Sequence, residues 1–121
     1  ETFREWRAAM ARLAECPNVT VKIGGFGMIV CGPLWHEADT PPSSVQLAEA
    51  WRPYVETCID LFGARRCMFE SNFPVDKAMY SYRTVWNAFK RLTQSASADE
   101  RHALFSGTAA RIYRIADPAL G

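Results

Sequence analysis

The chain has 121 residues and a formal net charge of +1, with 14 basic and 13 acidic side chains, and 49% of its residues are hydrophobic. This length allows a single domain with a packed core, and the near-zero charge argues against nucleic acid or a polybasic membrane surface as the main partner. No stretch approaches the roughly 20 apolar residues of a membrane span. A complete (β/α)8 barrel, which needs about 250 residues, is excluded for this chain by itself.

Cysteine and histidine usage limits the possible chemistry further. The four cysteines are Cys16, Cys31, Cys58 and Cys67. They form no C-x-x-C pair, so we expect reduced, structural thiols in a cytoplasmic protein. With only His36 and His102, a site of three histidine ligands cannot be built from this chain's histidines alone. The first six residues carry neither an initiator methionine nor an apolar signal core, and we expect them to continue a longer chain.

The first third of the chain predicts a helix, a strand and a long loop. Apolar residues at helical spacing predict a helix of about three turns that ends near residues 16–18. Residues 19–23 alternate and are rich in β-branched side chains, which predicts a strand ended by two glycines. Residues 24–43 are rich in glycine and proline. Loops longer than about 15 residues are usually functional or disordered, and the aromatic content of this one favours an ordered, functional loop.

A second helix and a second strand follow. Ser43 or Ser44 can cap the helix, and Gly63 is suited to end it. Pro53 lies inside the apolar stripe of this helix, so we expect a kink or a break there. The apolar run that begins at Cys67 and reaches Asn72 predicts a strand, followed by a loop.

The last part of the chain is predicted to be helical. Apolar spacing predicts a helix at about 80–93, Ser97 opens a further helix through a capping box, and Thr108 can cap a final short helix. The resulting order, α-β-loop-α-β-loop-α-α, contains a βαβ unit. Such a unit implies parallel strands and an α/β architecture.

Polar side chains at the carboxyl ends of the two predicted strands are the candidate site. In α/β folds the loops that follow parallel strands carry the chemistry. Because side chains alternate along a strand, Lys22 lies on the face opposite the apolar residues of its strand, and Glu70 and Asn72 share one face of theirs. Asp76 and the loop that holds His36 follow the same strand ends.

Each candidate also has a purely structural interpretation. Lys22 is compatible with an edge-strand charge that keeps a sheet soluble, and Glu70 with an ion pair to Lys22 across neighbouring strands. Asn72 is a common turn residue, and the group around His36 is compatible with a solvated loop, as is Asp76. The tryptophans are compatible with packing. Pattern alone therefore leaves the reaction open.

Residues 66–76, which read RCMFESNFPVD, resemble the last-strand signature of the amidohydrolase-related family, typically Arg-x-Met-Phe-Gly-Ser-Asp-x-Pro. Residues 18–25 are similar to the preceding strand of that family and residues 104–113 to its closing helices. The family consists of metal-dependent TIM-barrel hydrolases and lactonases, and also contains decarboxylases. The resemblance implies that residues 1–121 are one partial domain, the C-terminal part of a (β/α)8 barrel with about two parallel strands and their flanking helices.

The chain departs from the family pattern in the residues that bind the metal. The family's His-x-His ligands and its mid-barrel histidine have no counterpart here, and its last-strand aspartate aligns with Asn72. A neutral amide is a weaker metal ligand than a carboxylate and cannot act as a general base. The resemblance implies a divalent metal, zinc by preference, in a full-length parent, while no metal ligand of this chain is certain. Glu70, which stands where the family has glycine, or Asp76 would substitute for the missing acid.

The resemblance further implies a hydrolase that uses activated water on a small lactone, ester or amide. Asn72, Glu70 and Asp76 are the expected catalytic residues, and Lys22, Trp35 and His36 are expected to bind the substrate. Non-oxidative decarboxylation on the same barrel is one alternative. Another is a catalytically silent partial barrel that associates with itself as a homo-oligomer or with the rest of a barrel. The isolated chain is expected to be inactive.

Overall fold

The computed structural model describes residues 2–32 and 34–116. Its elements are helix α1 (Thr2–Ala14), strand β1 (Val21–Ile23), helix α2 (Ser44–Phe62), strand β2 (Cys67–Phe69) and helices α3 (Tyr82–Leu92), α4 (Ala98–His102) and α5 (Thr108–Tyr113). A π-helical segment, Ala103–Gly107, joins α4 to α5. This order confirms the predicted α/β architecture. None of the helices within the described ranges is long and apolar enough to cross a membrane.

The two strands pair in parallel, as the βαβ order predicts. Lys22 lies opposite Met68, and Ile23 lies opposite Phe69. Each strand has only three residues, fewer than predicted. Two and three residues beyond the strand ends, the backbone enters the left-handed region, at Gly25 with a φ of 75° and at Asn72 with a φ of 55°. A last ladder bond, from the Glu70 N–H to the Ile23 carbonyl at 3.0 Å, still joins the strand ends.

The hydrophobic core lies between one face of this sheet and the helices. Ile23 and Phe69 point into it, and the Phe69 ring stacks on Phe89 of α3 with centroids 4.2 Å apart. Cys58 and Cys67 are buried there, and burial raises their pKa values to about 11 and about 12. These two thiols are therefore neutral at physiological pH and pack as small apolar groups.

Helix α2 determines how the loop after β1 returns to the sheet. Ser43 caps it in a reciprocal capping box with Gln46, which selects one of the two predicted caps. The expected break at Pro53 does not occur, and the helix continues from Ser44 to Phe62. Pro53 is exposed, so the Glu49 carbonyl that loses its N–H partner there can be hydrated instead.

Arg66 holds the start of β2 against the end of α1. Its guanidinium donates to the carbonyls of Ala14 and Cys16, each at 3.0 Å, and to those of Phe62 at 3.1 Å and Val19 at 3.4 Å. Two of these carbonyls, those of Ala14 and Phe62, are the last of α1 and α2 and have no N–H partner within their helix. Residues 19 and 20 lie outside β1, contrary to the prediction, because the residues that would pair with them by register, Arg65 and Arg66, belong to the 3-10 turn Ala64–Arg66.

Candidate active site

Lys22 and Glu70 form an ion pair at the carboxyl ends of the two strands. Lys22 Nζ lies 2.6 Å from Glu70 Oε2, with the two side chains 50% and 28% exposed. The hydrogen bond to Glu70, together with its negative charge, raises the pKa of Lys22. Strand alternation places both side chains on the face opposite the core residues Ile23 and Phe69. A half-exposed pair contributes little stability, so its place at the strand ends is the more informative property.

Gly24 brings the backbone of β1 into close contact with Glu70. A Cβ at residue 24 would collide with Glu70 Cγ and would lie 2.5 Å from the Glu70 carbonyl oxygen. Only glycine allows the two strand ends to approach this closely. The glycine that ends the first strand therefore also determines where the Glu70 carboxylate is held.

Asn72 and Asp76 are joined by a short hydrogen bond beneath the strand ends. The 3-10 turn Val75–Ala78 folds Asp76 back under Asn72, and Asn72 Nδ2 donates to Asp76 Oδ1 at 2.8 Å. Asp76 is completely buried, and its other oxygen accepts from the Tyr80 hydroxyl at 2.5 Å. Burial and this carboxylate strongly raise the pKa of Tyr80, which keeps the phenol protonated as a donor.

Tyr80 connects this buried group to the loop after β1. The backbone of Gly27 is hydrogen-bonded to the Tyr80 hydroxyl, and a Cβ at residue 27 would lie 2.5 Å from that oxygen. Trp35 packs against the ring of Tyr80 with centroids 6.2 Å apart, and against Trp51 at the same distance. Trp35 is thus held near the buried carboxylate of Asp76.

His36 follows Trp35 in the 3-10 turn Trp35–Glu37 and is exposed. Its Nε2 lies 3.7 Å from Glu37 Oε1, a pairing that becomes ionic only when the imidazole is protonated. The described contacts therefore join two groups at the strand ends, Lys22 with Glu70 and Asn72 with Asp76, and bring Trp35 to the second. They connect His36 to its neighbour Glu37.

Tyr80, Gly24 and Gly27 are the residues of this region that sequence reasoning missed. The spacing Asp76-x-x-x-Tyr80 is a usable signal for the first, because residues four apart in a turn or helix can share a hydrogen bond. The apolar spacing instead predicts Tyr80 at the start of the third helix, which in the structure begins at Tyr82. The roles of the two glycines depend on contacts with residues more than 40 positions away, and no local pattern indicates them.

Comparison with known proteins shows which family the chain resembles in sequence. The amidohydrolase family profile matches residues 1–115. The chain is 47% identical over 113 residues to the uncharacterized protein y4mH of Sinorhizobium fredii, a match that covers 93% of this chain and 34% of that protein. It is 38% identical over 119 residues to an L-fucono-1,5-lactonase of Burkholderia multivorans, covering 94% of this chain and 36% of the lactonase.

Solved structures agree with the sequence comparison. A crystal structure of an amidohydrolase from Burkholderia multivorans with bound zinc superposes with a TM-score of 0.79 at 33% identity, covering 94% of this chain and 38% of that one. A second crystal form with bound HEPES gives 0.75 at 34% identity, with the same coverage. The chain spans about a third of the length of the curated relatives it matches.

The strand ends of this chain do not by themselves make a metal site. Among residues 2–32 and 34–116 there is no group of three or more histidine, cysteine, aspartate or glutamate side chains that could hold a metal ion. The amide nitrogen of Asn72 faces Asp76, and Glu70 is paired with Lys22. The donor set of the described residues therefore does not fit a zinc ion unless further ligands are supplied.

Proposed function

Because the chain belongs to the amidohydrolase family, we propose that it is the C-terminal part of a (β/α)8 barrel that hydrolyses a small lactone. The L-fucono-1,5-lactonase of Burkholderia multivorans supports the lactone as substrate class, at 38% identity. A parallel βαβ unit with helices on one face of its sheet is compatible with a barrel segment, in which the other face would line the interior. Residues 1–121 would then be one partial domain.

The observation that carries this proposal is the ion pair at the strand ends. Lys22 Nζ and Glu70 Oε2 are 2.6 Å apart on the face away from the core, at the edge where barrel enzymes hold their chemistry. Asn72 follows Glu70 by two residues on the same edge. A cation, a carboxylate and an amide together could bind, activate and orient a carbonyl substrate and a water molecule.

In the proposed reaction, the oxygen of water forms a bond to the lactone carbonyl carbon. Glu70 accepts a proton from that water, and the Lys22 ammonium stabilises the negative charge that develops on the carbonyl oxygen. When the bond between the carbonyl carbon and the ring oxygen breaks, the ring oxygen takes up the proton that Glu70 holds, which regenerates the carboxylate and gives a hydroxy acid as product. Before the reaction, the hydrogen bond to Glu70 and its negative charge raise the pKa of Lys22 and so favour the ammonium form.

The loop after β1 would cover the substrate. Trp35 is fixed against Tyr80 and Trp51, and it would supply an apolar wall. The exposed His36 would contact the substrate at the outer side of the loop. A divalent metal stays a proposal for the whole protein. It rests on the zinc bound to the Burkholderia multivorans structure, and its ligands would have to come largely from outside this chain.

The test is turnover of L-fucono-1,5-lactone by the complete native polypeptide, with zinc or manganese supplied and acid release followed by a pH indicator. We expect Lys22→Ala and Glu70→Gln each to lower kcat/KM by about 100-fold, in the range for loss of one charged group in a catalytic site. Lys90→Ala, which removes an exposed lysine from α3, is the matched control and should leave turnover unchanged.

Two results would contradict the proposal. Lactone hydrolysis at the wild-type rate in both Lys22→Ala and Glu70→Gln would remove these residues from the site. Release of carbon dioxide from an aromatic carboxylic acid, without turnover of any lactone or ester, would assign the barrel to decarboxylation instead.

A further inference from the structure

The hydrogen bonds of Asp76 determine which way the Asn72 amide points. Asp76 is completely buried, and both of its oxygens are occupied, one by Asn72 Nδ2 at 2.8 Å and the other by the Tyr80 hydroxyl at 2.5 Å. A carboxylate has no N–H to donate, so only the amide nitrogen of Asn72 can face it. The orientation of this amide is therefore fixed by chemistry.

The nitrogen side of the Asn72 amide is also covered by Gly25, two residues after the end of β1. A Cβ at Gly25 would lie 3.5 Å from Asn72 Nδ2 and 3.7 Å from its Cγ, which places the Gly25 backbone directly beside the amide. With Asp76 and Gly25 on the nitrogen side, the amide oxygen is the atom held away from Asp76. Asn72 itself is half-buried at the edge of the strand ends.

We propose that Asp76 is a positioning residue that holds Asn72 with its amide oxygen toward the substrate, so that Asn72 accepts a hydrogen bond from the attacking water or from a hydroxyl group of the lactone. This rests on the proposed lactone hydrolysis. Asn72 then orients the nucleophile and does not stabilise the oxyanion, because an acceptor cannot donate to a negatively charged oxygen. Asp76 acts through Asn72, since its own side chain is completely buried.

Tyr80 extends this arrangement to the loop. Its hydroxyl donates to Asp76 and is itself hydrogen-bonded to the backbone of Gly27, while its ring packs on Trp51 with centroids 5.5 Å apart. Tyr80 thus keeps the Asp76 carboxylate in place from the side opposite Asn72. The same contacts hold the start of the loop that carries Trp35.

Exchanging the two side chains tests the proposal without changing their shapes. In Asp76→Asn, the new amide can keep the Tyr80 bond through its oxygen and present its nitrogen to Asn72, which then turns its own oxygen inward and its nitrogen outward. We expect kcat for L-fucono-1,5-lactone to fall at least about 10-fold, with KM and Tm close to wild type. In the double variant Asn72→Asp with Asp76→Asn, an outward-facing oxygen returns, and we expect kcat to recover to within about threefold.

The matched control is Asp60→Asn, the same change at an exposed residue of α2. Tyr80→Phe is a second variant, which keeps the bond between Asn72 and Asp76 and should lower kcat less than Asp76→Asn does. Wild-type kcat in Asp76→Asn, or a double variant no faster than Asp76→Asn alone, would overturn the proposal.

Hydrogen exchange of the Asn72 side-chain amide separates this proposal from the proposed function. In the complete, substrate-free polypeptide with 15N-labelled asparagine, we expect that amide to exchange at least about 10-fold more slowly than the exposed amide of Asn18, and to exchange faster in Asp76→Asn. If protection is unchanged in Asp76→Asn, the amide does not turn and the inference fails. If it changes as expected while no lactone is hydrolysed, the orientation is supported and the lactonase proposal fails.

Discussion

At the scale of single residues, the site region is closely packed around a few residues that tolerate no added atoms or lost hydrogen bonds. Gly24 and Gly27 exist as glycines because Glu70 and Tyr80 occupy the space where a Cβ would lie. Asp76 is a buried acid with two hydrogen bonds, and Cys58 and Cys67 are thiols that burial keeps neutral. We therefore expect conservative substitutions at these residues to lower the free energy of unfolding or the lactone turnover, and the same substitutions at exposed residues to leave both unchanged.

Replacement of Gly24 by alanine should displace the Glu70 carboxylate. The added Cβ meets both Glu70 Cγ and the backbone of Glu70, and backbone cannot yield as easily as a flexible side chain. We expect a loss of about 1–3 kcal/mol in the free energy of unfolding, as for other overpacked sites, together with at least about a 10-fold lower kcat/KM for the lactone. Urea denaturation and lactone turnover check the two effects. Gly63→Ala, at a site with open space around it, should leave the lactone turnover unchanged.

The buried thiols predict a loss of stability at alkaline pH. Cys67 has its pKa raised by burial from 9.0 to about 12, so the folded protein retains a proton that the unfolded chain releases. Below about pH 9 the neutral thiol contributes fully to the free energy of unfolding. Above that pH the free energy of unfolding decreases, by up to about 1.4 kcal/mol per pH unit.

Denaturation at pH 7, 9, 10 and 11 measures this slope. We expect Cys67→Ala to have a shallower decrease than wild type, after its lower stability at pH 7 is subtracted. The exposed Cys16 provides the control, since Cys16→Ala should leave the slope as it is. Equal slopes in all three proteins would contradict the pKa shift.

At the scale of elements, the helices are held on the sheet by the hydrophobic core and also by hydrogen bonds at the helix ends. The Arg66 guanidinium donates hydrogen bonds to four carbonyls, which lie at or just after the ends of α1 and α2 and just before β1. Its guanidinium also lies over the Phe62 ring, 5.2 Å from the centroid. A planar group with five donors suits this role, and an ammonium group does not reproduce it.

Substitution of Arg66 by lysine should loosen α1 from the rest of the molecule. Lysine keeps the charge but cannot reach four carbonyls from one position, so we expect a loss of about 2–3 kcal/mol in the free energy of unfolding. Backbone hydrogen exchange should become faster in α1 before it does so in α2. Arg65→Lys, at an exposed neighbour, is the control. Unchanged protection of α1 in Arg66→Lys would contradict this role.

At the scale of the whole molecule, the chain has a covered side and an uncovered side. Helices α2 and α3 cover the apolar face of the sheet, while the loop after β1 exposes apolar side chains, including Val30, which is 87% exposed, and Ile29, which is 56% exposed. Together with a length of about a third of its relatives, this supports the proposal that further barrel segments cover these groups in the whole protein.

Residues 1–121 produced alone should therefore associate. Exposed apolar groups and the free edges of a two-stranded sheet favour self-association, so we expect an apparent mass well above 13.6 kDa in light scattering, and no lactone turnover. The complete native polypeptide at the same concentration is the control. A stable 13.6 kDa monomer with full lactone turnover would show that no further segment is needed.

Much of the fold was predictable because its signals are local. Ser43 and Ser97 each cap a helix through a residue three positions away, and the βαβ order led directly to parallel strands. Alternation and strand order give an ion pair between Lys22 and Glu70 as the structural alternative to a site role, and the two side chains form that pair. Tyr80 and Arg66 were not assigned their contacts, because these depend on how distant segments meet. The roles of Asn72, Glu70, Asp76 and the loop residues stay predictions.

The contacts of Arg66 also constrain the order in which the chain can fold. The bond from Arg66 to the Cys16 carbonyl joins residues 50 positions apart, and the bond to Ala14 joins residues 52 apart. Contacts between distant residues form late, because the loop between them must be closed first. During synthesis, α1 leaves the ribosome well before Arg66 does, so its amphipathic surface is exposed for the time needed to add about 50 residues. Within residues 2–66, chaperone contact with the newly made chain is therefore to be expected at α1 until Arg66 is available to hold it in place.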